Sequence, residues 1–179
     1  MTDKLRKQNL IALDLGTNFG LAGGDPNEPL VDYYVNIELG QNSKFTEDSF
    51  FIFDRLIRAL FSTEDFMDTE VTIVWERPSS RPYWNTLRVH HGLQGILESN
   101  AAKLKNMMLS DPINKGLVHL LTIPPTTIKK FWTGTGKADK DFMVEQTQRL
   151  YPKVTDDNAS DAIALWHYTQ EVLGCYLKP

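Results

Sequence analysis

Four acidic residues occupy positions where a carboxylate needs a specific reason to be. Asp14 follows an apolar run at residues 10–13, and Glu76 ends a second β-rich run at residues 70–75. Asp157 and Asp161 are spaced so that they share one face of a helix. Charged groups beside a core are costly without a partner, and clustered carboxylates repel one another unless cations lie between them. If the fold brings the four together, the sequence predicts a cation site.

Two divalent ions roughly 4 Å apart would balance such a cluster, and they suit phosphodiester hydrolysis. One ion activates a water molecule and the other stabilises the departing oxygen. Oxygen ligands without Cys or His favour Mg²⁺ or Mn²⁺, so we expect two such ions and no small-molecule cofactor. Taken alone, Asp14 is equally compatible with a residue that ends a strand and caps the turn at Gly16.

The composition is that of an ordinary globular protein, with 179 residues, 41% hydrophobic and 23% charged. This length predicts a single domain over residues 1–179. The single cysteine, Cys175, forms no internal disulfide and has no zinc-type spacing with histidines. Since no apolar stretch approaches the length of a secretory or membrane segment, we expect a cytoplasmic protein without a membrane partner.

The net charge of -4 does not favour a nucleic-acid partner, but the distribution of charge does. Two stretches, residues 77–97 and 112–138, contain no acid and carry several basic residues. They predict one positive face, although scattered solvated side chains would give the same pattern. The residues concerned are Arg77, Arg81, Arg88, His90 and His91 in the first stretch, and Lys115, Lys129, Lys130 and Lys137 in the second.

Hydrophobic periodicity and turn residues predict the elements that would position these groups. We expect strands at 9–14, 18–24, 29–38, 70–75 and 117–123, and helices at 46–61, 85–104, 126–132, 138–150 and from 156 onward. Three antiparallel strands followed by βα crossovers predict a mixed five-stranded sheet with helices on both faces, the layout of an RNase H-like α/β fold. With the first strand central and the fourth beside it, Asp14 and Glu76 would be neighbours beneath the last helix.

Four segments in this order resemble the RuvC-type Holliday-junction resolvases, in particular those carried by phages. They are Ile-Ala-Leu-Asp14-Leu-Gly, Val-Trp-Glu76-Arg-Pro, Lys129 with Thr-Gly134-Thr-Gly136-Lys-Ala-Asp-Lys140, and Asp156-Asp157-Asn158-Ala-Ser-Asp161-Ala-Ile-Ala-Leu. The resemblance implies a structure-specific endonuclease that cuts branched, four-way DNA junctions as a homodimer, with two metal ions per active site.

The resemblance also implies roles for individual residues. Asp14, Glu76 and Asp161 match three acids of the catalytic quartet. The fourth position corresponds to Asn158, where the family has Asp or His, and the neighbouring Asp157 is an alternative source of the missing carboxylate. The metal-ligand set therefore remains open between Asp157 and Asn158.

The family places two lysines near the scissile phosphate, and Lys129 and Lys140 match them. Lys140 begins a predicted helix, where a cation is poorly placed unless an anion binds there. The family's aromatic wedge corresponds to Ser79, while Tyr83 and Trp84 follow and either stack on bases or pack the loop. The expected DNA contacts are Arg77, Arg81, Tyr83, Trp84, Arg88, Lys129, Lys130, Lys137 and Lys140.

Three other interpretations stay open. Another RNase H-like nuclease, such as a ribonuclease H or an exonuclease, would use the same acids and basic stretches. An actin-like or sugar-kinase-type ATP-binding domain has a phosphate loop that the segment from Asp14 to Gly20 resembles, but it needs a second domain and a second glycine-rich loop. A binding module without catalysis is the third, because Asn158 carries no charge.

Overall fold

The computed structural model describes residues 7–40, 47–62, 69–78, 84–110 and 117–174, without the side chains of Trp84, Asn85 and Leu173. The strands are β1 (Lys7–Asp14), β2 (Asn18–Gly24), β3 (Tyr33–Glu38), β4 (Thr69–Glu76) and β5 (Val118–Ile123). The helices are α1 (Glu47–Phe61), α2 (Trp84–Ser110), α3 (Pro125–Thr133), α4 (Lys140–Gln148) and α5 (Asp157–Tyr168), and a π-helical turn (Thr169–Leu173) continues α5.

The five strands form one mixed sheet in the order β3-β2-β1-β4-β5. β1 is central, antiparallel to β2 and parallel to β4, and β3 and β5 form the two edges. Parallel neighbours need a crossover, and the chain supplies one by α1 between β1 and β4 and another by α2 between β4 and β5. The predicted mixed five-stranded α/β sheet is confirmed.

Strand alternation divides the core into two layers, because successive side chains point to opposite faces of a sheet. On one face, Ile11 and Leu13 of β1 belong to a buried cluster with Phe53 of α1 and Leu97 of α2. On the other face, Leu10 and Ala12 belong to a second cluster with side chains of α3, α4 and α5: Ile128, Met143, Ala162, Ile163 and Trp166 among them. Helices on both faces are therefore confirmed.

Helix α5 is fixed across the middle of the second layer. Its Trp166 is fully buried, and the indole Nε1 donates a hydrogen bond of 3.0 Å to the Leu10 carbonyl of the central strand. A buried indole needs such a partner, because an unpaired polar group in the core is costly. This anchor and the apolar face of α5 set the position of the helix over β1 and β2.

Several predicted boundaries are corrected. β3 begins at Tyr33 rather than at residue 29, because residues 29–32 form an irregular segment before the strand, in which the Asp32 amide donates to the Gly23 carbonyl at 2.9 Å. α2 continues to Ser110, and α4 begins at Lys140 because Asp139 is its N-cap and accepts from the Phe142 amide at 2.9 Å. The predicted N-cap Thr46 lies outside the described residues. Within the described helices, none is long and apolar enough to cross a membrane.

Candidate active site

The carboxyl ends of the two central parallel strands place Asp14 beside Glu76. Leu13 pairs with Trp75 in the β1–β4 register, and each acid is the next residue of its strand. Alternation puts Asp14 on the same face as Leu10 and Ala12, and Glu76 on the same face as Val74. These residues belong to the layer covered by α5, so both carboxylates emerge on that side of the sheet.

The first turn of α5 lies over this edge. Asp156 is the N-cap, and its carboxylate accepts from the Ala159 amide at 2.8 Å. This capping leaves Asp157 and Asp161, one helical turn apart, without a capping role. Asp161 is half-buried, and its Oδ1 is buried without a hydrogen-bond partner within the described structure.

Gly20 permits the close approach of α5 to the sheet. Gly20 pairs with Asp14 across β1 and β2. A Cβ at Gly20 would lie 1.9 Å from the Asn158 carbonyl oxygen, which no real side chain allows. From the sequence, the glycines of β2 indicated only a weakened strand. The structure shows that the absence of a side chain at Gly20 leaves the space that the N-terminus of α5 occupies.

Burial and mutual repulsion raise the pKa of three of the acids. The pKa of Asp14 lies well above its usual value, first because the group is buried and then because of Glu76, Asp161 and Asp157. Burial, followed by repulsion from Asp161, raises the pKa of Glu76 to about 7. Burial is also the main cause that raises the pKa of Asp161 to about 6, with Lys129 acting against it. The four acids thus form one electrostatically connected group.

Two of the predicted site lysines, Lys129 and Lys140, lie close to these acids. Lys129 of α3 donates from Nζ to the Ala138 carbonyl at 3.0 Å, and its charge lowers the pKa values of Glu76 and Asp161. Lys140 forms an ion pair with Asp157. The Asp157 carboxylate is therefore an anion of the kind that we expected at the start of α4, and it belongs to the protein itself.

The side chain of Asn158 extends from α5 toward the edge strand β3. Its Nδ2 donates to Asn36 Oδ1 of the edge strand β3 at 3.4 Å. Asn36 pairs with Gly20, so Asn158 reaches past the glycine toward the edge of the sheet. Asp157, in contrast, interacts electrostatically with both Asp14 and Asp161. Of the two candidates for the fourth ligand, Asp157 is the one that belongs to the acidic cluster.

The donor chemistry of the cluster fits Mg²⁺ or Mn²⁺. The four acids of the cluster offer carboxylate oxygens, the repulsion among them calls for cations, and Asp161 Oδ1 has no hydrogen-bond donor within the described residues. In the described residues, no three Asp, Glu, His or Cys side chains already form a closed set of metal ligands. A bound ion would therefore require the side chains to turn toward it.

The predicted DNA contacts differ in where they lie. The side chains of Arg77, Arg88, Lys130, Lys137 and Lys140 are exposed, and Lys129 is half-buried. Arg81, Tyr83, Lys115 and Ser79 lie outside the described residues, and so does the side chain of Trp84, which begins α2. Because several of these residues are not described, the positive face as a whole stays a prediction.

His90 is not part of an exposed positive face and corrects that part of the prediction. It is buried on α2, burial lowers the pKa of its imidazole, and Nε2 lies 3.0 Å from the Glu76 carbonyl oxygen. A neutral imidazole that donates from Nε2 leaves Nδ1 as an acceptor, and Nδ1 has no partner in the described structure. His90 thus holds the backbone of Glu76.

A sequence signal for His90 existed, but the helical phase was not identified. The positions considered for the inner face near the start of the helix, Leu87 and His91, are only loosely periodic, and His91 is exposed. The buried stripe of α2 recurs every three or four residues and consists of His90, Leu93, Leu97, Ala101, Leu104 and Met108.

No family model and no curated protein matches the sequence. Solved structures do match. The Thermus thermophilus RuvC structure aligns with a TM-score of 0.61 at 14% identity, over 93% of this chain and 96% of that chain. T. thermophilus RuvC in complex with Holliday junction substrate aligns with a TM-score of 0.66 at 9% identity, with the same coverage. The yeast mitochondrial Holliday junction resolvase Ydc2 aligns with a TM-score of 0.61 at 17% identity, over 98% of this chain and 86% of that chain.

These alignments identify the fold. The chain has an RNase H-like α/β fold, as the layout of its elements predicted. Within that class, it has the fold of the RuvC-type resolvases over nearly its whole length.

Proposed function

We propose that this protein is an endonuclease that resolves four-way DNA junctions by metal-dependent phosphodiester hydrolysis. One observation carries the proposal: on a RuvC-like fold, four acids that interact electrostatically lie together at the carboxyl edge of the central strands, and the pKa values of three of them are raised. Perturbed carboxylates in such a cluster mark a functional site rather than a stabilising contact. The match to a RuvC structure bound to a Holliday junction supports branched DNA as the substrate class.

In this proposal, Asp14, Glu76, Asp157 and Asp161 hold two Mg²⁺ or Mn²⁺ ions. When bound, such ions supply an activated water and stabilise the departing oxygen. Lys129 adds positive charge beside Glu76 and Asp161, where negative charge develops on the phosphate. The exposed Arg77, Lys130 and Lys137 contact the DNA backbone, and this contribution weakens as salt rises.

A four-way junction has two equivalent strands to cut, so we propose that the active form is a symmetric dimer. Each protomer then presents one active site to one strand. Sedimentation equilibrium of the protein with and without a junction measures this directly. A strict monomer on the junction would favour a nuclease with a simpler substrate.

The first prediction tests the chemistry. Asp14→Asn keeps the size of the side chain but removes one of the carboxylate charges that would hold the metal ions, so cleavage of a four-way junction in Mg²⁺ should fall by about 1,000-fold or more. Junction affinity in a gel-shift assay should be retained. Asp141→Asn, the same change at an exposed acid of α4, should cut like the wild type. A wild type that binds junctions but cuts no DNA would leave only the binding-module interpretation.

The same assay separates the related nucleases. A junction resolvase should cut the four-way junction much faster than a linear duplex of the same sequence or an RNA–DNA hybrid. Preference for the hybrid would point to a ribonuclease H, and release of single nucleotides from an end would point to an exonuclease.

A further inference from the structure

The ion pair between Lys140 and Asp157 joins a long, exposed lysine side chain to the acidic cluster. The Lys140 Nζ donates to Asp157 Oδ2, and the lysine side chain is 77% exposed whereas that of Asp157 is 27% exposed. The charge of Lys140 also acts on Asp14 and Asp161. The ammonium therefore reaches the acids from the solvent side and takes up one of their carboxylates.

Helix stability does not account for this pair. Asp139 already caps α4 and Asp156 already caps α5, so neither Lys140 nor Asp157 is needed as a cap. A cation in the first turn of α4 also opposes the helix dipole. Asp157 lies in the first turn of α5, where an acid suits the helix dipole, whereas Lys140 gains nothing from α4, so its position is explained by the acidic cluster that it contacts.

An ammonium and a divalent ion compete for the same carboxylate oxygens. While Lys140 holds Asp157, that carboxylate is engaged, and the nearby positive charge repels an approaching cation. Since an exposed ion pair contributes little to stability, a stronger anion can draw Lys140 away at small cost. A lysine on its four-carbon stem can make that move without a change of backbone.

We propose, on the basis of the proposed function, that Lys140 blocks Asp157 as a metal ligand until a DNA phosphate takes over its ammonium. Substrate binding then completes the metal site. DNA affinity and metal affinity become coupled through one side chain, and by thermodynamic linkage each increases the other by the same factor.

The first test measures metal binding without DNA. The full chain is titrated with Mn²⁺ by calorimetry after removal of metal by a chelator. Lys140→Met should bind Mn²⁺ with an affinity raised by about tenfold or should bind one additional ion, because Asp157 is free and a positive charge is gone. Lys153→Met, an equal charge change at an exposed position just before α5, should behave like the wild type. Weaker binding by Lys140→Met, or an affinity and a number of bound ions that are both the same as in the wild type, overturns the proposal.

A second comparison separates occupation of Asp157 from a general charge effect. In an Asp157→Asn background, Lys140→Met should no longer raise Mn²⁺ affinity, since the carboxylate that it would release is absent. A gain that persists in this background overturns the proposal, because Lys140 would then act on the whole cluster at a distance.

A third comparison tests the role of DNA. With a saturating, cleavage-resistant four-way junction, the difference in Mn²⁺ affinity between the wild type and Lys140→Met should shrink, because DNA has already displaced the lysine. A difference that stays the same overturns the proposal. If neither protein binds Mn²⁺ with or without DNA, the metal-dependent function itself fails, which is distinct from each of the other outcomes.

Discussion

Asp157 and Asn158 are neighbours in sequence, but their side chains point to different elements. Asp157 contacts Lys140 of α4 and interacts with Asp14, whereas Asn158 contacts Asn36 of β3. The N-cap of α5 is Asp156, so capping does not explain the presence of Asp157. Of these two neighbours, only Asp157 interacts electrostatically with the acidic cluster.

The second prediction follows from this difference. Asp157→Asn should lower junction cleavage by about 100-fold or more, because a ligand that stabilises charge is worth several kcal/mol. Asn158→Ala loses only a 3.4 Å amide contact, so cleavage should fall by about tenfold at most. Both rates are measured at saturating Mg²⁺ with junction binding as the control. Full activity of Asp157→Asn would show that Asp157 serves only as the ion-pair partner of Lys140 and not as a metal ligand.

At the scale of elements, the site depends on how closely α5 approaches β2. The Asn158 carbonyl occupies the space that a side chain at position 20 would fill. Because α5 is also anchored through Trp166 to β1, the helix cannot easily move away to admit a larger residue. The distance between α5 and the strand ends in turn sets the distances among the acids.

The third prediction tests this packing. Gly20→Ala should destabilise the protein by about 1–3 kcal/mol and weaken Mn²⁺ binding, because α5 must shift to accommodate the new Cβ. Gly95→Ala is the matched control, since nothing lies within 4 Å of its added Cβ on helix α2. Alanine there should stabilise the protein by about 0.5–1 kcal/mol and leave metal binding unchanged. Equal effects of the two changes in urea denaturation would contradict the packing argument.

The sequence was most informative where one local signal dominates. The apolar runs that end at Asp14 and Glu76 predicted two buried strands, and their order predicted that the strands pair. The sequence was least informative where a contact between distant segments decides. Gly20 was assigned no role because its neighbour is Asn158, and the inner face of α2 was not identified near its start because His90 is a polar residue in a buried stripe.

At the scale of the whole molecule, the acidic cluster opposes folding. Three buried or half-buried carboxylates with raised pKa values are less stable when charged in the folded state than in the unfolded state. The two apolar layers of the core must offset this loss in the metal-free protein. His167 has the opposite pH dependence: burial lowers the pKa of its imidazole to about 4, so this residue opposes folding at low pH, whereas the acids oppose it at high pH.

The fourth prediction isolates the contribution of one acid. The folded pKa of Glu76 is about 7, above its usual 4.5, so its stability contribution is complete below pH 4.5 and lost as the pH rises through 7. In a chelator, Glu76→Gln should therefore match the wild type near pH 4 and exceed its free energy of unfolding by about 2 kcal/mol at pH 8. His167 and the other acids are present in both proteins, so much of their effect cancels in the difference.

Urea denaturation across this pH range measures the difference, with Glu98→Gln at an exposed position of α2 as the control that should show no such pH dependence. Mg²⁺ should stabilise the wild type more than Glu76→Gln, because only the wild type keeps the full set of carboxylates, and the difference at pH 8 should shrink or reverse. No difference between the two proteins at pH 8 in chelator would mean that Glu76 is not held among repelling charges. Any destabilisation caused by the acidic cluster would then have to come from residues other than Glu76.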